Sequence, residues 1–354
     1  VIASHRFEAA RDVILAGLEA RAYPAAAIDV GTRGTSLWCE AFGGLSYDLD
    51  AAATTTGTIF DLASLTKVIA TTSIAMRHAG AGRLRLDRPV AEILPAWRGD
   101  DRAGVTLRHL LDHSSGLPPH ARLWLRAAGR LAYLDEIAAL PLERPPGAAA
   151  VYSDPGFMLL GFALEAIGSA PLDAQFAPIA AAVDGVLTYL PPASLVNHVA
   201  PTENDPWRGR VLVGEVHDEN AAALGGVAAH AGVFGSVGAV GAFARLVLAT
   251  FHDDTILGTP ALMRTFATAT GVPDSSRALG WDTMRPTSSC GTRFSARAIG
   301  HTGFTGTSLW IDPEQDLYVA FLTNRVHPTR ADNKLVEIRP RLHDAVHAGF
   351  AERA

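Results

Sequence analysis

At 354 residues, with 48% apolar and 19% charged side chains, the chain is long enough for a large core and two lobes and too apolar for a disordered protein. Its formal net charge of -6, with arginines scattered and no basic block, gives no reason to expect nucleic acid as a partner. Cys39 and Cys290 are too few for a disulfide framework or a thiolate metal site, and leave open only one bridge between them.

Apolar residues at helical spacing (Phe7, Val13, Ile14, Leu18) predict an N-terminal helix over residues 5–21. Residues 25–30 and 36–43 read as two strands turning at Gly31 and Arg33-Gly34, a hairpin packed on that helix. A threonine-rich loop then leads through Ile59-Phe60 to Ser64-Leu65-Thr66-Lys67 and the apolar run Val68-Ile69-Ala70. If Ser64 opens a helix, its hydroxyl and the Lys67 amine lie on one face, one turn apart, with the hydroxyl at the positive end of the helix dipole. Of the 30 basic residues only Lys67 and Lys334 are lysines. Arginine cannot surrender its proton in a protein and a desolvated lysine can, so a lysine kept in an apolar run beside a serine points to proton chemistry.

From about residue 78 the pattern becomes helical with proline-rich connections. A short helix is expected over 106–118, closed by Gly116 and stopped by Pro118, and further helices over 131–140 and 156–167. An irregular arm is expected to wrap the surface at 184–217. The uncharged stretch 221–244 carries glycines and His230, and reads as a glycine-rich loop feeding a buried helix, not a membrane span. His109 and His113 are four apart, but the residues between them offer no general base in the metalloprotease pattern, and no metal is expected. Strands return at 279–281, 298–300, 307–312 and 317–323, with a turn at Asp312-Pro313-Glu314-Gln315, and a final helix is expected over 331–351. The fold class is thus α+β: one antiparallel sheet built from both chain ends and flanked by terminal helices, with a mainly helical lobe beside it. The lobes are expected to be 1–77 with 275–354, and 78–274, with the site at their seam.

Two more motifs follow Ser64: Tyr152-Ser153-Asp154 and His301-Thr302-Gly303. In this order and spacing the three motifs resemble those of the penicillin-recognising serine hydrolases: Ser-x-x-Lys, Tyr-x-Asn and Lys/His-Thr-Gly. The segments Leu111 to Pro118, Gly225 to Ala228 and Trp310 to Asn324 resemble family landmarks as well, so the likeness spans nearly the whole chain. The resemblance implies the β-lactamase/transpeptidase-like fold and amide hydrolysis through an acyl-enzyme, DD-peptidase-like or β-lactamase-like. A carboxylesterase of the same fold and a non-catalytic penicillin-binding or sensing protein are the alternatives.

Carried over, the resemblance makes Ser64 the nucleophile, with Lys67 and Tyr152 as proton partners whose order of action is open. The N–H groups of Ser64 and Phe304 form the oxyanion hole. Asp154, His301, Thr302 and Gly303 contact substrate, Gly303 allowing close approach. Asp154 stands where asparagine is usual; a carboxylate only accepts, so it is expected to pair with Lys67 or a cationic substrate. His301 stands where β-lactamases commonly have lysine, with Arg325 and Arg330 as candidate sources of the missing charge. The resemblance implies no cofactor and a small-molecule or peptide substrate. The sequence opens on Val1 and no signal peptide is read in it, so the expected compartment is periplasmic or secreted if an upstream signal has been removed, and cytoplasmic otherwise.

Overall fold

The computed structural model describes residues 5–351. A 3-10 turn at His5–Phe7 leads into α1 (Glu8–Glu19), which buries Ala10 and Ile14. The hairpin β1 (Ala25–Gly31) and β2 (Ser36–Gly43) follows, then the short β3 (Ile59–Asp61). A π-helical stretch, Lys67–Thr72, continues as α2 (Ser73–Gly80). The middle of the chain carries α3 (Leu107–Leu111), α4 (Arg130–Ala139), α5 (Asp154–Gly168), α6 (Leu172–Ala180) and β4 (Leu187–Tyr189). It goes on through the two-residue strands β5 (Asn204–Asp205) and β6 (Arg210–Val211), α7 (Glu219–Ala223), β7 (Val233–Ser236), α8 (Val237–Thr250) and α9 (Pro260–Ala267). The last part is β8 (Asp282–Thr283), β9 (Ile299–Thr302), β10 (Ser308–Asp312), β11 (Leu317–Thr323) and α10 (Leu335–Ala351).

Both chain ends build one six-stranded antiparallel sheet, order β2-β1-β11-β10-β9-β8. Every residue of β1, β10 and β11 is buried, because the sheet is covered on both faces. The terminal helices α1 and α10 pack together over one face, on a core that includes Phe7, Ile14, Trp310, Phe321 and Leu342. Helix α8 lies against β1, β10 and β11 on the other, although it falls within 78–274. Its face continues the larger core, shared with the helical part through Leu65, Ile69, Phe157 and Leu160. Cys39 is exposed on β2 and Cys290 is buried, and both are free thiols.

Four details depart from the sequence reading. Helix α3 ends at Leu111, short of Gly116, because the Asp112 carboxylate takes the Ser114 N–H (3.1 Å) and draws the backbone into a turn. The strand expected at 279–281 forms at Asp282–Thr283 instead: Gly280 adopts φ +85, and a Cβ there would strike Thr72. The glycine-rich stretch holds β7 and the arm holds β4, β5 and β6; β7 and β4 join β3 in a second sheet, order β3-β7-β4, and β5 pairs with β6. The last helix starts at Leu335, not 331. Among the described residues no single helix is long and apolar enough to cross a membrane.

Candidate active site

Ser64 sits on a turn held from three sides. The preceding strand β3 pairs with β7, and the Leu62 N–H donates to the Val233 carbonyl (3.0 Å). Ala63 is a non-glycine residue at φ +46, a left-handed conformation that persists only where its surroundings fix it. Here the buried Asp61 carboxylate accepts the Ala63 N–H (2.8 Å) and the His217 N–H (2.7 Å). Thr305 and Thr307, in the segment after β9, donate their hydroxyls to the carbonyls of Asp61 (2.7 Å) and Leu62 (2.9 Å). The Ser64 hydroxyl is thereby fixed at the start of the helical stretch, with Lys67 in its first turn. The π-helical register that follows is a departure common at functional sites.

Tyr152 and Asp154 come from the start of α5. Ser153 is its N-cap, accepting the Gly156 N–H (3.1 Å) while donating to the Pro118 carbonyl (2.7 Å). Pro155 sits in the first turn, and Asp154 lies at the dipole's positive end. The Ser153 N–H donates to Nδ1 of buried His113, whose ring packs between Tyr152 and Phe157 at 4.7 and 4.8 Å. His113 thus orients the tyrosine, and burial, with Arg277 and Lys67 nearby, holds its pKa well below that of free histidine.

These elements meet at Ser64. Its Oγ lies 2.8 Å from the Tyr152 hydroxyl and 3.1 Å from Lys67 Nζ. Lys67 is fully buried and donates also to Asp154 Oδ1 (2.8 Å) and the His230 carbonyl (3.0 Å). Burial pulls the Lys67 ammonium towards neutrality, but the Asp154 carboxylate, with Tyr152, outweighs it and leaves the pKa above an ordinary lysine. Burial likewise raises Tyr152, more than the Lys67 charge lowers it. For Asp154 burial opposes ionisation, yet Lys67 and His120 hold its carboxyl well below the usual range. These shifts favour an ammonium–carboxylate pair beside a neutral phenol, and a base appears when Lys67 or Tyr152 gives up its proton.

Strand β9 forms the facing wall. His301 donates Nδ1–H to the Thr302 carbonyl (2.8 Å), leaving a buried Nε2 without a partner among the described residues. Burial, then Arg277 and Lys67, keeps it neutral by depressing its pKa well below 6.5. A Cβ on Gly303 would come within 2.6 Å of the Leu62 carbonyl and strike Thr307, so the glycine serves close packing against the Ser64 turn as well as the cleft. The N–H groups of Ser64 and Phe304 have no hydrogen-bond partner among the described residues. The half-exposed Phe304 ring stacks on His217 (5.7 Å), with Arg325 over it at 4.6 Å.

The cleft these residues line has a volume of about 680 Å³. Arg330 is committed to ion pairs with Glu203 and Glu219, whereas among the described residues Arg325 donates only to the Asp332 carbonyl. Sequence reasoning missed Arg277, whose guanidinium lies 5.4 Å from the Tyr152 ring centre, and the buried Arg339 of α10. Arg339 donates to the carbonyls of Thr307 (2.9 Å) and Gly303 (3.3 Å), its Nε has no partner among the described residues, and burial, with Arg325 nearby, pushes its pKa down to about 9. Among the described residues no carboxylate pairs with Arg277, Arg325 or Arg339. Neither Arg277 nor Arg339 stands in a motif, and only the fold brings them to the cleft.

The family model described as Beta-lactamase matches residues 10–339. An Escherichia coli (strain K12) protein named "Putative D-alanyl-D-alanine carboxypeptidase" is 32% identical over 314 residues, 78% of this chain and 71% of that protein. Among solved structures, EstCE1, described as a hydrolase with promiscuous acyltransferase activity, superposes with a TM-score of 0.78 at 20% identity, over 98% of this chain and all of that one. A penicillin-binding protein homologue from Caulobacter crescentus gives the same TM-score at 20% identity, over 97% of each chain.

Proposed function

The chain belongs to the Beta-lactamase family, a hydrolase of the β-lactamase/transpeptidase-like fold, and from that premise we propose that it is a D-alanyl-D-alanine carboxypeptidase working through an acyl-enzyme on Ser64. The observation that carries the reading is the convergence of the Tyr152 hydroxyl and Lys67 Nζ on Ser64 Oγ, at 2.8 and 3.1 Å.

In this reading Ser64 Oγ attacks the carbonyl carbon of the scissile amide and passes its proton to the Lys67–Tyr152 set. The developing oxyanion takes hydrogen bonds from the N–H groups of Ser64 and Phe304. The set returns the proton to the leaving nitrogen, the C–N bond breaks, and the amine departs. Water, deprotonated by the same set, then attacks the ester and frees Ser64. A terminal carboxylate on the leaving side is met by the Thr302 hydroxyl and by the arginines without carboxylate partners, Arg277 and Arg339 foremost. Those arginines and the carboxypeptidase-named relative support a peptide ending in a free carboxylate.

One observation favours ester hydrolysis as a second reading. Both Asp154 oxygens are engaged, by Lys67 and His120, so this position offers no amide donor to an acyl-side carbonyl. Hydrolysis of diacetyl-Lys-D-Ala-D-Ala, nitrocefin and p-nitrophenyl butyrate, by the protein and by Ser64→Ala, separates the readings. D-alanine release that Ser64→Ala abolishes supports the carboxypeptidase. Fast ester turnover without D-alanine release supports the esterase, and turnover that survives Ser64→Ala overturns both.

A further inference from the structure

His120 stands at the end of an unbroken line of contacts that reaches the nucleophile. Its Nδ1 lies 2.9 Å from Asp154 Oδ2, Asp154 Oδ1 lies 2.8 Å from Lys67 Nζ, and Lys67 Nζ lies 3.1 Å from Ser64 Oγ. The two ends of the line differ in exposure: the Lys67 side chain is 0% exposed and the His120 side chain 73%. The backbone fixes this arrangement. The Asp154 N–H donates to the Pro119 carbonyl (3.0 Å) and the Ser153 hydroxyl to that of Pro118, which sets the next residue, His120, beside the Asp154 carboxylate.

The difficulty this arrangement resolves is chemical. A carboxylate 2.8 Å from Lys67 holds the ammonium in place, and an ammonium cannot accept the serine proton. Discharging Lys67 alone would leave a nearly buried carboxylate without a cation, which is costly. A second cation on the other carboxylate oxygen removes that cost.

Resting on the acyl-enzyme reading above, we propose that His120 is a positioning residue that acts through Asp154: its imidazolium replaces Lys67 as the counter-ion of Asp154 and so lets Lys67 act as the base. The two states carry the same number of protons, with the charge on Lys67 in one and on His120 in the other. His120 takes a proton at Nε2 from solvent and keeps Nδ1–H on Asp154, while Lys67 releases one to solvent, so protons and charge balance and no covalent step is added. The hydrogen bond to Asp154 raises the pKa of His120, in keeping with this role. The other groups facing this line are Tyr152, His113 and Arg277 on the Lys67 side, and Asp218 and His230 across the cleft. His230 is paired with Asp218 at 2.8 Å.

The consequence is a particular pH profile. With His120 present, the fraction of neutral Lys67 is nearly constant across the neutral range, because the His120-protonated state supplies it. Without a protonatable partner that fraction rises about tenfold per pH unit until Lys67 itself titrates. The test is the second-order rate of Ser64 modification by a fluorescent fluorophosphonate from pH 5.5 to 10, read by mass spectrometry. Wild type is expected to show a shoulder on the alkaline side of the ordinary histidine value of 6.5. His120→Gln keeps a hydrogen bond but no charge; it is expected to be about tenfold slower at pH 7, to climb without a shoulder, and to meet wild type at alkaline pH. His120→Lys restores the cation and the neutral-pH rate. In an Asp154→Asn background, adding His120→Gln changes nothing, since there is no carboxylate to serve. A His120→Gln profile parallel to wild type, or an effect that persists in Asp154→Asn, overturns the inference. Failure of wild type to be modified at Ser64 overturns the acyl-enzyme reading itself, so the two failures are distinct.

Discussion

Replacing Asp154 by asparagine tests the electrostatic reading of the site, because the same side chain fixes both the Lys67 charge and part of the stability. In the native protein two causes oppose each other on Lys67: burial, which favours the neutral amine, and the Asp154 carboxylate at 2.8 Å, which favours the ammonium and prevails. Asparagine removes the second and leaves the first. An opposite charge at contact shifts a pKa by about 1–3 units, so the limb on which Ser64 becomes reactive is expected to move down by about that much. Modification of Ser64 by a fluorophosphonate at pH 7 should accelerate by at least about tenfold. Stability changes in the opposite sense. The native Lys67 pKa is raised, so its contribution is fully present below the unfolded value of 10.5 and is lost as pH rises through the folded pKa. In Asp154→Asn the folded pKa lies below the unfolded one, so folding releases a proton and stability climbs with pH up to 10.5. Breaking a buried pair costs about 3–5 kcal/mol while the remaining charge persists. Urea unfolding should therefore show the full loss at pH 6 and a smaller one at pH 9. A reactivity limb that stays put or moves up, or a stability loss equal at both pH values, would refute the reasoning.

Three other outcomes follow from the same geometry. Tyr152→Phe keeps the ring between His113 and His301 but removes the hydroxyl 2.8 Å from Ser64; turnover should fall by about 10²–10⁴ with little change in Tm. Gly303→Ala drives a Cβ against the Leu62 carbonyl and Thr307; thermal unfolding should register a loss of about 1–3 kcal/mol, and acylation should slow more than stability alone accounts for. Arg277→Met removes a guanidinium that makes no hydrogen bond among the described residues; KM for diacetyl-Lys-D-Ala-D-Ala should rise about 10–100-fold, while p-nitrophenyl butyrate, which has no carboxylate, should be hydrolysed as before.

The elements read from sequence were those whose signal is local. β1, β2 and β11 have runs of apolar residues bounded by turns, and they lie where the pattern put them. Ser64 and Lys67 were legible because a helical turn converts a three-residue spacing into proximity, and because an arginine-rich chain kept a lysine there. β7 was not legible: Val233–Ser236 is only four residues long and leads directly into α8, too short for a period to show, and its strand conformation comes from pairing with β3 and β4, both distant in sequence. The same reason hides His120, Arg277 and Arg339. Each is a single polar residue in an unremarkable stretch, and each acquires its surroundings from partners at least 32 residues away. Asp154 was visible as a departure from the family pattern, but its simultaneous grip on Lys67 and His120 is a property of the folded loop after Gly116.

The measurement closest to the central claim is capture of the acyl-enzyme itself. The protein is mixed with diacetyl-Lys-D-Ala-D-Ala, quenched in acid within the first turnovers, and digested for peptide mass spectrometry. The diacetyl-Lys-D-alanyl group is expected as an ester on Ser64, with one D-alanine released per adduct and neither product from Ser64→Ala. D-alanine released at an undiminished rate by Ser64→Ala, or an adduct on any other side chain, would contradict that claim.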